Sequence, residues 1–102
     1  MMIIIESEKY KRKLENIADY IAQDKKSAAR KFLKDLKKQI NNLTHFPYKY
    51  RKSYYFNDEN IRDTVFKGYT IIYKIEKNKI TLLDIFKKEQ YDNLWFTPKT
   101  KS

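Results

Sequence analysis

The amino-acid sequence predicts an α+β fold: a short N-terminal strand, then an antiparallel helical hairpin packed on one face of a twisted, mainly antiparallel sheet of four to five strands. Three observations carry this reading. Through Leu43 the apolar residues recur every three or four positions, the period of a helix face. After Pro47 they alternate, the period of a strand. Turn signals at Gly68 and Asn78 then cut the second half into segments joined so closely that they must run antiparallel.

Each element follows in order. Ile3 to Ile5 is a short apolar run suited to a first strand. Tyr10, Leu14, Ile17 and Ile21 share one side of a helix over residues 8–23, with Ala18 beside them. Asp24 is a candidate cap for a second helix from Lys25 to Leu43, whose stripe is Ala29, Phe32, Leu33, Leu36, Ile40 and Leu43. The link between the helices is short enough to force an antiparallel hairpin. Pro47 stops the second helix, because it lacks the N–H that a helix interior uses. Four strands are expected from there: Ser53 to Phe56, Asn60 to Lys67, Tyr69 to Glu76 and Lys79 to Phe86. Asn57-Asp58-Glu59 reads as a turn. Lys67-Gly68 reads as a tight one in which the only glycine takes a positive φ, and Asn78 forms the last. The hairpin should cover one sheet face and leave the other open. The expected domain spans 1–96, followed by a polar tail over 97–102 that begins at Thr97.

Composition narrows the chemistry. A chain of 102 residues buries one modest core and leaves no room for a cofactor-binding lobe. It has no cysteine, which excludes disulfides and thiol nucleophiles, and one histidine, His45, which excludes a two-histidine ribonuclease and a poly-His metal site. A single glycine excludes a glycine-rich phosphate loop. No cofactor, metal or small-molecule ligand is expected. No apolar run approaches the ~20 residues that span a membrane, and Glu6 and Glu8 end the N-terminal apolar run too soon for a signal peptide. A cytoplasmic protein with no membrane partner is the expectation.

The net charge is +10, a field that favours nucleic acid or an acidic protein. Lysine supplies 19 of the 23 basic residues, a pattern that an AT-rich genome also produces. The four arginines, Arg12, Arg30, Arg51 and Arg62, are less easily explained that way, and their forked donors suit phosphate. The candidate site residues come from separate stretches expected to converge on the open sheet face: Lys49, Arg51 and Lys52 after Pro47, Arg62 on the next strand, and Lys87, Lys88, Gln90 and Tyr91 past the last one. The basic run of the second helix, from Lys25 and Lys26 through Arg30, Lys31, Lys34, Lys37 and Lys38, reads as a solvated face. His45 is expected to serve the helix C-terminus. Tyr69 and Tyr73 are expected in the core, and Trp95 and Phe96 against the body of the protein or a partner.

Taken together, Leu14-Glu-Asn-Ile-Ala-Asp-Tyr-Ile21, Ala28-Ala29-Arg30-Lys-Phe32 with Phe46-Pro47, Ile61-Arg62, Gly68-Tyr69-Thr-Ile-Ile-Tyr73, and Ile80 to Phe86 with Lys87-Lys88-Glu89 resemble the RelE/ParE superfamily of type II toxins over residues 3–91. The resemblance implies a toxin held inactive by a cognate acidic antitoxin. RelE-like members cleave mRNA in the ribosomal A site, and ParE-like members poison DNA gyrase without a nuclease site. The expectation drawn from it is a ribosome-dependent endoribonuclease acting on ribosome and mRNA. In that reading Arg62 and Lys88 clamp the phosphate, Lys49 or Lys52 is the base, Arg51 supports them, and Tyr91 or one of Tyr54 and Tyr55 stacks on a nucleotide. A ParE-like gyrase inhibitor is the alternative, because the C-terminal nuclease pair of the family is not cleanly matched. A non-toxic RNA-binding module is a further alternative.

Overall fold

The computed structural model describes residues 2–87. The elements are β1 (Ile3–Glu6), α1 (Glu8–Asp24), α2 (Lys26–Asn42), β2 (Ile61–Phe66), β3 (Tyr69–Glu76) and β4 (Lys79–Lys87). Four strands form one sheet in the order β1-β4-β3-β2. Strands β2, β3 and β4 make an antiparallel meander, and β1 joins β4 in parallel, with Ile4 opposite Ile80. The expected architecture is therefore present, with a mixed sheet of four strands.

The turns follow from backbone chemistry. Lys67 and Gly68 both take positive φ, 48° and 85°, which suits the two-residue turn between β2 and β3. Open space surrounds Gly68, so its φ rather than crowding is what favours glycine there. Asn78, at φ 65°, does the same between β3 and β4. Ser7 starts α1 by a route the sequence reading did not include. Its Oγ accepts from the Tyr10 N–H and donates to the Leu83 carbonyl, so one hydroxyl caps the helix and ties it to β4. Asp24, expected to cap α2, is instead the last residue of α1. The link is Lys25 alone, in extended conformation, and no side chain caps α2. His45 supplies only its backbone N–H to the Asn42 carbonyl among the hydrogen bonds at that end.

The core lies between the hairpin and one sheet face. Phe32, Leu36, Ile40 and Leu43 of α2 and the turn after it meet Ile71, Tyr73 and Ile75 of β3 and Ile80, Leu82 and Ile85 of β4. Tyr10, almost fully buried, is the anchor of α1, and Leu14, Ile17 and Ile21 pack against the same core farther along the helix. Each such side chain contributes roughly 1.5–3 kcal/mol by leaving water. Phe32 meets Phe66 and Tyr69 edge-on, at 5.3 and 5.6 Å between ring centres. Tyr73 thus belongs to the core, as the alternation predicts, and Tyr69 packs half-buried against it.

The opposite sheet face is not left open along its whole length. Ile61, Ile72 and Phe86 are buried there under Tyr55, with Leu83 alongside. The segment that covers them was expected to be a strand, Ser53 to Phe56, and it is not one. Its ladder begins with a single bridge, Lys52 to Arg62, and the Ser53 N–H reaches the Ile61 carbonyl. Side chains then take the next donors: the Tyr54 N–H goes to Asp63 Oδ2 and the Tyr55 N–H to Ser53 Oγ. Side-chain acceptors of this kind compete with a sheet ladder and bend the chain away.

Burial of Tyr10 and Tyr73 makes stability pH-dependent. Both phenols are raised well above the ordinary value of 10.0, first by desolvation, which disfavours the phenolate. The native state then holds protons that the unfolded chain loses, so stability is full below about pH 10 and falls as pH rises above it. Urea titrations across this range should show that decline, and Tyr73→Phe should make it shallower. A flat profile through pH ~11 would contradict the burial of both hydroxyls.

Candidate functional site

The basic residues expected to act together gather where the 47–60 segment meets β2. The register decides where each one points. Arg62 pairs with Tyr73, on the helix-covered face, whereas Asp63 pairs with Ile72 on the opposite face. Arg51 Nη2 lies 3.5 Å from Asp63 Oδ2, so the two arginines engage opposite faces of the same strand. They do not converge on one open face.

Arg62 is enclosed by its own chain. Its Nε donates to the Glu59 carbonyl at 2.9 Å and its Nη1 to the Tyr50 carbonyl at 3.0 Å. Its guanidinium lies 4.8 Å from the centre of the Tyr48 ring, and Nη2 is 3.6 Å from Glu59 Oε1. The side chain is only 15% exposed. Next to it, Tyr73 Oη donates to the Pro47 carbonyl at 2.8 Å, and Tyr48 Oη to Asn60 Oδ1, also at 2.8 Å. Two adjacent side chains on one row of the sheet therefore hold the 47–51 segment against β2. Two of the five guanidinium N–H donors are thus taken by backbone carbonyls and Nη2 faces Glu59, so the side chain is held against its own chain and not turned toward a phosphate.

The remaining candidates are more accessible. Lys49 Nζ sits over the Tyr50 ring, 5.5 Å from its centre. Lys52 Nζ faces Asn57 Oδ1 at 3.4 Å and Glu59 Oε2 at 3.8 Å. Arg51 is 60% exposed and also lies over Tyr54. A cleft of about 560 Å³ is lined by Arg51, Lys52, Ser53, Tyr54, Tyr55 and neighbours. Lys87, at the far end of β4, pairs with Tyr69 and packs over its ring. That row lies four residues along β3 from the Arg62 row, roughly 13 Å at ~3.3 Å per residue. Lys88 and Tyr91, expected to complete the site, lie outside the described residues, as do Trp95 and Phe96.

Two acidic groups escaped the sequence reading. Asp63 is almost fully buried, and its Oδ1 has no hydrogen-bond partner among the described residues. Asp84 receives Lys9 and Lys13 of α1 at 3.2 and 2.8 Å, just past the point where β1 stops covering β4. The signal for Asp63 was present: it alternates with Ile61 and Val65 on one side of a strand, where an acid needs a specific partner. No group of histidine, cysteine or carboxylate side chains among the described residues could hold a metal ion. No described helix is long and apolar enough to cross a membrane.

A helical hairpin on a β1-β4-β3-β2 sheet, with a strand before the hairpin, defines an α+β fold with a mixed sheet. Comparison with known proteins identifies the class, a toxin of a type II toxin-antitoxin system. The family described as ParE toxin of type II toxin-antitoxin system, parDE, matches residues 4–91, and the chain belongs to that family. A solved chain of the chromosomal ParDE TA system from P. aeruginosa superimposes with a TM-score of 0.68 at 18% identity, covering 85% of this chain and 96% of that one. At that identity the likeness shows the shared fold. No curated protein matches the sequence.

The geometry predicts different costs for neighbouring charges. Arg62→Gln removes two charge-assisted bonds to carbonyls and should cost about 2–3 kcal/mol in thermal or urea unfolding. Lys52→Gln, on the surface, should change stability by less than ~0.5 kcal/mol. If Arg62→Gln is as stable as the parent and no longer arrests growth, Arg62 serves the target and not the fold.

Proposed function

We propose that this chain is a growth-arresting toxin that inhibits DNA gyrase and does not cleave RNA. The observation that supports this reading over mRNA cleavage is the state of Arg62. The arginine that a nuclease would turn toward the scissile phosphate is bound to the Tyr50 and Glu59 carbonyls and stacked on Tyr48. A phosphodiester site needs free donors where charge develops on phosphorus. Membership of the ParE family supports the same choice. Purified gyrase should lose supercoiling activity when the full chain is added, while translating extracts should show no codon-linked cuts in mRNA. Cuts in the extract with unimpaired supercoiling would reverse the assignment.

A type II toxin has a cognate antitoxin, and the surface offers it a distinct seat. A groove of about 550 Å³ runs between β1 and the two helices, floored by Ile4, Leu14, Leu36 and Ile40, with Lys11, Lys37 and Glu6 also lining it. Leu33, 38% exposed, sits at its edge. An amphipathic segment with apolar anchors and flanking acids fits that combination. Leu33→Glu should leave growth arrest intact while weakening rescue by the co-expressed antitoxin. Full rescue of this variant would place the antitoxin elsewhere.

A further inference from the structure

The positive charge of the protein is unevenly placed. Helices α1 and α2 have equal length, 17 residues each, and belong to one hairpin. Helix α1 carries four basic and four acidic residues; α2 carries six basic and one acidic. A genome-wide bias toward lysine would load both helices alike. The difference in net charge, zero on α1 against +5 on α2, calls for a different cause.

The six basic residues of α2 are Lys26, Arg30, Lys31, Lys34, Lys37 and Lys38, and all are exposed. At 100° per residue they fill a sector of about 140°, turned away from the core stripe of Phe32, Leu36 and Ile40. Lys26, Arg30, Lys34 and Lys38 follow one another a turn apart, about 6 Å each, along a helix roughly 25 Å long. The one acid, Asp35, is taken up by Lys31 at 3.1 Å and Lys67 at 3.5 Å on the flank. The other five have no acidic partner among the described residues.

What this sector lacks identifies its occupant. A protein partner needs an apolar anchor at the centre of its seat. The exposed residues here are basic or small and polar, apart from Ala28, and Leu33 faces the groove on the other flank. Single-stranded RNA is held by stacking on aromatic side chains. The only aromatic of α2, Phe32, is buried. A row of cations without anchors or stacking platforms matches a regular polyanion whose binding is electrostatic. We propose that the outer face of α2 binds the sugar–phosphate backbone of duplex DNA, without sequence preference, through Arg30, Lys34 and their neighbours. The inference goes beyond the gyrase reading and stands apart from it, since its test contains no gyrase.

The test uses the full chain and two double variants of equal net charge, Arg30→Gln/Lys34→Gln on α2 and Arg12→Gln/Lys77→Gln elsewhere. Glutamine matches lysine and arginine in helix propensity, so α2 is retained. Anisotropy of a labelled DNA duplex of about 20 base pairs is titrated at several salt concentrations. The α2 variant should bind at least about five-fold more weakly, and its salt slope should shrink by about 1.8, two contacts at ~0.9 each. The other variant should keep the parent slope. Equal weakening in both variants reduces the effect to net charge and overturns the proposal. So does the absence of duplex binding at low salt, tighter binding of single-stranded RNA, or displacement of the duplex by poly-glutamate as readily as by unlabelled DNA.

Discussion

Strand β3 is hydrogen-bonded along both edges and buried on both faces, and the rest of the molecule is placed by it. Ile71, Tyr73 and Ile75 receive the helical hairpin on one side, and Ile72 joins Ile61 and Phe86 beneath Tyr55 on the other. One of these residues does more than fill space. The Tyr73 hydroxyl passes through the core to the Pro47 carbonyl, and Arg62, its partner on β2, holds Tyr50 and Glu59. An unpaired buried carbonyl or phenol is costly, so this row fixes where the 47–60 segment runs. That segment in turn presents Arg51, Lys52 and Tyr54 at the surface.

The consequence for function is a division of labour among the basic residues. Arg62 serves the fold, with two N–H groups on backbone carbonyls and Glu59 beside it. Arg51 offsets the buried Asp63, and Lys9 and Lys13 offset Asp84. Among the described residues, five of the charges left without acidic partners stand together on α2. One flank of α2 therefore presents a row of cations, while the groove on its other flank offers apolar contact. Two sides of one element suit two kinds of partner, one bound by field and one by burial.

Much of the fold was legible because its determinants are local. The helix stripes follow from spacing, the β2–β3 and β3–β4 turns from Gly68 and Asn78, and the core role of Tyr73 from alternation. What could not be read depends on partners far away in sequence. Ser53 to Phe56 has strand-like composition, yet Asp63 takes the Tyr54 N–H and the ladder ends. Arg62 looked like a free phosphate ligand because nothing nearby in sequence announces that the Tyr50 carbonyl will lie beneath it. Asp24 and Lys25 differ by one residue, within the usual uncertainty of a helix end. The parallel partner of β1 was equally hidden, since the crossover through the hairpin leaves no mark in β1 itself.

Arg62 and Tyr73 act as one fastening for the 47–51 segment. A double-mutant cycle with Arg62→Gln, Tyr73→Phe and the pair, read by urea unfolding near neutral pH, tests it directly. The account predicts that the two changes are coupled by at least ~0.5 kcal/mol, because either one frees the segment that the other holds. Strict additivity, within ~0.3 kcal/mol, together with an undestabilised Arg62→Gln, would contradict it and return Arg62 to the surface chemistry of the toxin.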